Sequence, residues 1–193
     1  KMLSDLNESI RQHAVEALGE LGDLRAIEPL LRMLSDLSAF VRQDTIEALG
    51  KLGDSIAIEP LLGMLSYEYS FESAAEALNK LGATKEQLLN GYTNALYGET
   101  SIKAANALGE LHDSQAVDPL IKRLWDLSSD KHSWNRASAA LALGKIGDAR
   151  AFEHLLKALS NKSYLIRLHA ALGLGELGDS SVMFPTDLYI WKF

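Results

Sequence analysis

Three glycines near the end of the chain form a formal phosphate-binding pattern. GLGELG at 173–178 matches G-x-G-x-x-G, in which backbone amides at a helix N-terminus hold a pyrophosphate. That fingerprint requires a strand before it and a helix after it. Here the glycines instead lie at the end of a segment whose apolar residues have helical spacing. We therefore interpret the glycines as helix-end residues. We predict that Gly178 takes the left-handed conformation ahead of Asp179, which would cap the next helix.

The histidines and carboxylates are the other residues with chemical potential. The five histidines are scattered over different parts of the chain and lack the paired helical spacing of metal ligands: His13, His112, His132, His154 and His169. Cys is absent, which excludes thiolate nucleophiles, disulfides and Cys-ligated zinc in this chain. The recurring carboxylates follow a solvated helix face instead of forming a pair held in one cleft. The sequence predicts no catalytic site, no metal, no cofactor and no enzymatic activity for the chain alone.

The charge is distributed unevenly along the 193 residues, which carry a net charge of −7. Residues 1–82 hold 7 Lys and Arg against 14 Asp and Glu, whereas residues 83–193 hold 12 of each. Nucleic-acid binding needs clustered positive charge, which this sequence lacks. No apolar run is long enough to span a membrane. We expect a cytoplasmic protein that binds neither nucleic acid nor membrane.

A seven-residue phrase recurs along the chain and reveals internal repeats. Its copies are offset by 31, 29, 30, 35 and 31 residues. They read ALGELGD (17–23), ALGKLGD (48–54), ALNKLGA (77–83), ALGELHD (107–113), ALGKIGD (142–148) and GLGELGD (173–179). A second phrase, typified by AIEPLLRMLSD (26–36), recurs between the copies.

Each repeat has the pattern of two helices. Val41, Thr45, Ala48, Leu49 and Leu52 form an apolar stripe with a period of 3.6 residues in the second helix. An Asp ends most copies of the first phrase, where its side chain can cap the following helix. One helix pair cannot bury its stripe alone, so neighbouring pairs must stack. The sequence predicts an all-α, right-handed α-solenoid of about six helical hairpins.

The two phrases, together with an Ile-Arg or Val-Arg pair that opens the second helix, resemble the HEAT-like repeats first described in phycobilisome lyases. These pairs are Ile10-Arg11, Val41-Arg42 and Ile166-Arg167. The resemblance extends from residue 1 to about 179, and we predict a single HEAT-like repeat domain over 1–193. KMLSDL (1–6) matches RMLSDL (32–37), so we expect the sequence to start inside a repeat. We interpret the apolar segment 180–193 as a degenerate terminal helix on the last repeat. A binding anchor or an added tail are the alternatives.

The resemblance permits several functions, because these repeats serve bilin lyases, a metal-dependent hydroxylase and plain binding scaffolds. The hydroxylase ligates iron through His-Glu dipeptides, and this sequence contains none. A bilin lyase, usually with a second subunit, needs an aromatic pocket the size of a tetrapyrrole. Four aromatic residues are candidates for lining one: Tyr67, Tyr97, Trp134 and Tyr164. A subunit of a bilin lyase or a chromophore-handling protein is therefore the alternative function.

The function we predict is a protein-interaction scaffold, because the second helices of a solenoid line its concave surface. The candidate contact residues on that surface are Tyr97, Trp134, Leu141, Tyr164, Leu168, Leu172, Gln43, Asp44 and Glu47. We expect the aromatic and apolar members to anchor another protein. The acidic N-terminal half would favour a partner with a basic segment. Alternatively, the C-terminal tail or the insertion SSDKHSW (128–134) covers the apolar members.

Overall fold

All regular structure in the described residues, 2–127 and 133–179 of this computed structural model, is helical. Short 3-10 turns lie at Met2–Ser4, Leu24–Ala26, Ser55–Ala57 and Ser114–Ala116. The helices up to residue 100 are α1 (Glu8–Leu21), α2 (Ile27–Met33), α3 (Ala39–Leu52), α4 (Ile58–Met64), α5 (Phe71–Lys80) and α6 (Lys85–Ala95). The later helices are α7 (Ser101–Glu110), α8 (Val117–Leu124), α9 (Ser133–Ile146), α10 (Ala151–Ala158) and α11 (Tyr164–Asp179).

The helices form hairpins within two compact units, which are divided between Thr100 and Ser101. In the first unit α1 packs on α3 and α3 on α5, while α2 and α4 pack on the second helices that follow them. In the second unit α7, α9 and α11 pack in the same order, with α8 on α9 and α10 on α11. The predicted all-helical hairpin repeat is confirmed. The single domain over 1–193 stays a prediction, and segment 180–193 lies outside the described residues.

The predicted apolar stripe forms the core of the hairpins. Val41, Thr45, Ala48 and Leu49 of α3 are buried, whereas Leu52, the last residue of the predicted stripe, is half-buried at the end of the helix. The Thr45 hydroxyl donates to the Val41 carbonyl at 2.7 Å. Burial of each aliphatic side chain of this kind stabilises the fold by about 2 kcal/mol. The stripe therefore holds each second helix between its neighbours.

Aspartates join the second helix of one repeat to the first helix of the next, as the sequence predicts. Asp23, Asp54 and Asp113 each accept a hydrogen bond from the backbone amide two residues later, which starts the 3-10 turn. Thr84, in the repeat without this Asp, forms a capping box with Gln87. These caps satisfy amide groups that the first turn of a helix leaves unpaired.

The prediction for Gly178 is wrong. Gly22, Gly53 and Gly147, its counterparts in other repeats, have positive φ values of 68°, 77° and 78°. Gly178 instead lies inside α11, which continues to Asp179. A left-handed residue there would interrupt the helical hydrogen bonds, so the backbone stays right-handed. The predicted capping role of the Asp179 side chain lies outside what the structure describes.

The recurring ALG phrase is explained by close packing between successive second helices. A Cβ atom on Gly19 would lie 2.8 Å from the Cβ of Ala48, and one on Gly109 would lie 3.2 Å from the Cα of Ala142. The third residue of one phrase therefore packs against the first residue of the next. At the α9–α11 contact both residues are glycine, Gly144 and Gly173, and the backbones approach most closely there.

Candidate partner-binding surface

Three glutamates occupy matching positions on the second helices of the first unit. Glu16, Glu47 and Glu76 each come directly before the ALG or ALN phrase of their repeat, and all three are exposed. The helices that carry them pack in the order α1, α3, α5. We name these side chains the acidic column. Lys80 pairs with Glu76 at 2.7 Å, and this hydrogen bond is the main reason that the pKa of Glu76 is lowered.

The predicted polar contact residues lie together on α3 beside the acidic column. Gln43 Nε2 donates to Glu47 Oε1 at 3.4 Å, one helical turn away. Asp44 Oδ2 accepts from Gln12 Nε2 of the neighbouring α1 at 3.0 Å. Gln43 and Asp44 are half-buried, whereas Glu47 is exposed. The structure therefore groups all three predicted residues, and Glu47 is the most accessible.

Four apolar side chains of the second unit lie on two helices that pack against each other. Trp134 and Leu141 belong to α9, and Leu168 and Leu172 belong to α11. Trp134, Leu168 and Leu172 are 55%, 38% and 50% exposed, while Leu141 is half-buried. We name these four side chains the apolar patch. Leu141 and Leu172 occupy the repeat position that holds glutamate in the acidic column.

The Trp134 ring is positioned by a histidine from the neighbouring helix. Its centroid lies 6.0 Å from that of His169, with the rings at 80° in an edge-to-face arrangement. His169 Nδ1 in turn lies 2.9 Å from the Leu165 carbonyl oxygen, which fixes the imidazole against α11. Edge-to-face ring pairs are favourable and directional. The indole is therefore oriented by a contact between α9 and α11.

The remaining predicted aromatic residues are exposed in different units. Tyr164 begins α11, and the guanidinium of Arg167 lies 6.0 Å from its ring centroid. Tyr97 follows α6 in the first unit. Of the four residues suggested for a bilin pocket, Tyr67 and Tyr97 belong to the first unit, and Trp134 and Tyr164 to the second.

Two further clusters were not predicted from the sequence. In one, the Trp125 indole N–H donates to His154 Nδ1 at 3.0 Å, and Lys157 Nζ lies 5.1 Å from the Trp125 ring centroid. In the other, Arg42 faces Tyr67 across a hollow. Each cluster contains a departure from the repeat phrase that signals it: His154 replaces the proline of AIEPLL, and Tyr67 replaces the aspartate of MLSD.

The described part of the chain holds neither a metal-ligand cluster nor a membrane-spanning helix. Among residues 2–127 and 133–179, no group of three or more His, Asp or Glu side chains is placed to hold a metal ion. No helix within those same ranges has both the length and the apolar character needed to cross a membrane.

Stacked helical hairpins with capped turns and Gly–Ala contacts define a class of α-helical repeat protein. Residues 1–79 and 85–175 match the family model described as HEAT repeats. The chain belongs to the HEAT repeat family, which confirms the resemblance seen in the sequence. Among curated proteins, no sequence matches this chain.

Solved structures of several repeat proteins are similar to the chain. The CpcE–CpcF complex of phycocyanin lyase from Nostoc sp. PCC7120 is 23% identical, with a TM-score of 0.48 over 92% of this chain and 74% of that one. Human deoxyhypusine hydroxylase is 18% identical, with a TM-score of 0.43 over 91% and 82%. A designed armadillo repeat protein in complex with the peptide (KR)4 is 18% identical, with a TM-score of 0.46 over 91% and 96%.

Proposed function

We propose that the protein is an interaction scaffold that binds another protein through the second helices of its repeats. The observation that carries this proposal is the apolar patch on α9 and α11. Trp134, Leu168 and Leu172 each keep more than a third of their surface exposed. Burying apolar side chains away from water is favourable, and clusters of them that stay exposed commonly mark contact sites in folded proteins.

Comparison between repeats supports a binding role for this surface. Glu47 on α3 and Leu172 on α11 hold the same repeat position, and both side chains are exposed. The hairpin fold therefore accommodates a charged residue there and does not require leucine for its core. Tryptophan is also among the residues that contribute most at protein interfaces. Replacement of a compatible glutamate by leucine beside an oriented Trp134 favours contact with an apolar partner surface.

The experiment replaces the two exposed leucines of the patch. Leu168→Glu with Leu172→Glu should weaken partner binding at least about 30-fold, because buried charges would replace central apolar contacts. Partners captured from the source cell by the unaltered protein would be identified and purified, and their Kd values measured against both proteins.

The matched control is Leu156→Glu on α10. Leu156 is 46% exposed and lies on a first helix of the same unit, so this change also adds charge at an exposed leucine. Partner affinity should be unchanged in the control, and far-ultraviolet circular dichroism should match in all three proteins. Equal affinity in the double variant and the control would refute the patch as the contact site.

The alternative function, a bilin-lyase subunit, is tested with the same protein sample. Addition of a bilin should leave the visible absorption band unchanged if the protein is a scaffold only. A shifted band that disappears on Trp134→Ala would support chromophore handling instead. This outcome would also contradict the prediction that the chain needs no cofactor or chromophore.

A further inference from the structure

Arg11 and Arg42, near the starts of α1 and α3, each donate hydrogen bonds to the turn that precedes their helix. Arg11 in α1 donates from Nε to Asp36 Oδ2 at 2.7 Å and from Nη2 to Asp36 Oδ1 at 2.8 Å. Its Nη1 donates to the carbonyl oxygens of Asp5 and Leu6 at 2.9 and 3.3 Å. The fork of one guanidinium is thus filled by a carboxylate from the turn after α2, in the bidentate geometry that arginine favours.

Arg42 repeats only half of this arrangement. Its Nη1 donates to the carbonyl oxygens of Asp36 and Leu37 at 2.8 and 3.2 Å, as Arg11 does one repeat earlier. The residue that corresponds to Asp36 is Tyr67, whose ring centroid lies 5.8 Å from the Arg42 guanidinium carbon. The Nε atom of Arg42 is buried and has no hydrogen-bond partner. A buried donor without an acceptor is costly, and native structures rarely contain one.

The unfilled fork adjoins a hollow of the first unit. Among its lining residues are Leu34, Asp36, Arg42, Pro60, Met64 and Tyr67. The hollow therefore combines apolar walls with the Arg42 guanidinium and with the carboxylate of Asp36, which is already paired with Arg11. Tyr67 is 51% exposed, so the protein core does not enclose its ring beside the guanidinium.

We propose that this hollow is a binding site for a carboxylate group, which takes the place of the aspartate that the repeat lacks. Its two oxygens accept hydrogen bonds from Nε and Nη2 of Arg42, as Asp36 does from Arg11. A carboxylate fits better than a phosphate, because the neighbouring Asp36 repels a second negative charge. The carboxylate belongs either to a small acid or to a peptide, and both present the same planar group.

Arginine Nε–H resonances in the ¹⁵N-labelled full chain test the proposal. The Arg42 resonance is assigned by its loss in Arg42→Lys. Titration with acetate should shift it along a saturating curve, whereas neutral acetamide should leave it in place. The Arg11 resonance serves as an internal control and should not move, because Asp36 already occupies its fork.

Two further arms identify the source and the charge of the ligand. A short peptide with a free C-terminal carboxylate, compared with its C-terminal amide, shows whether a polypeptide carboxylate enters the hollow. Tighter binding of either acid than of inorganic phosphate is the expected result. A stronger response to phosphate would overturn the assignment to carboxylates.

Tyr67→Asp is the decisive variant, because it restores the missing carboxylate from within the chain. Its Arg42 Nε–H resonance should already be shifted without ligand, and it should no longer respond to acetate. Absence of a saturable shift in the unaltered protein, or an equal response in Tyr67→Asp, would overturn the proposal. None of these residues belongs to the apolar patch, so this result is independent of the partner-binding test.

Discussion

At the scale of single residues, the steric environment of the glycines determines what each one contributes. A Cβ on Gly173 would lie 2.7 Å from the Ala140 carbonyl oxygen, whereas one on Gly175 would meet no atom of the described chain within 4 Å. The two glycines are separated by one residue in the same helix. The first is therefore required by packing, and the second only lowers helix propensity.

Alanine substitutions at these positions should have opposite effects on stability. Gly173→Ala should lower the free energy of unfolding by about 2 kcal/mol, because α9 must move away from α11. Gly175→Ala should raise it by up to about 1 kcal/mol through helix propensity. Urea denaturation followed by circular dichroism measures both. Equal effects of the two substitutions would contradict the close contact between α9 and α11.

At the scale of helices and turns, ion pairs between a turn and a neighbouring helix stabilise the hairpins. Asp36, between α2 and α3, joins Arg11 of α1 with side chains that are 9% and 14% exposed. The hydrogen bond from Arg11 is the main reason that the pKa of Asp36 is lowered from its ordinary value of 3.8. Because this pKa is lower in the folded protein than in the unfolded chain, the ion pair stabilises the folded state above pH 3.8. This stabilisation is lost as the pH falls further and Asp36 becomes protonated.

Asp36→Asn should therefore destabilise the protein in a pH-dependent way. Near pH 7 the loss should be about 1 kcal/mol, because a hydrogen bond to a charged acceptor becomes a neutral one. The difference between the variant and the unaltered protein should stay constant down to about pH 5 and shrink below pH 3.8. Denaturant midpoints across this range measure it. A difference that does not depend on pH would show that Asp36 acts without its charge.

Sequence patterns predicted the elements well because each pattern has a local physical cause. The apolar period of α3 and the aspartate caps depend on residues within one or two helical turns. Gly178 was mispredicted because the same LGD phrase ends α1 and α3 but lies within α11. The hollow at Arg42 was missed because its signal lies 25 positions further along the sequence. Arg11 pairs with Asp36 at this separation, whereas Arg42 has Tyr67 there instead of an aspartate.

At the scale of the whole molecule, net charge separates the two parts of the chain. Residues 1–82 carry the entire excess of acidic side chains. The acidic column, Glu16, Glu47 and Glu76, is exposed within this part. Attraction between exposed charges weakens as salt shortens the screening length.

A lysine-rich peptide should therefore bind the protein with an affinity that falls as salt concentration rises. Neutralising the acidic column by Glu16→Gln, Glu47→Gln and Glu76→Gln should weaken binding about tenfold at low salt. The control, with the same change in net charge, replaces exposed glutamates of the first helices, Glu28→Gln, Glu59→Gln and Glu86→Gln. Fluorescence anisotropy measures both. Equal weakening in the two triple variants would show that net charge alone attracts the peptide.

The contact between successive ALG phrases also gives the repeat array a polarity. In each contact the third residue of the phrase faces the following repeat and the first residue faces the preceding one, as Gly19 and Ala48 show. Transplanted hairpins should therefore join only when small residues are retained at both positions and the order of the chain is preserved. Gly175 holds the third position of the last phrase, and a Cβ there would meet no atom of the described chain within 4 Å.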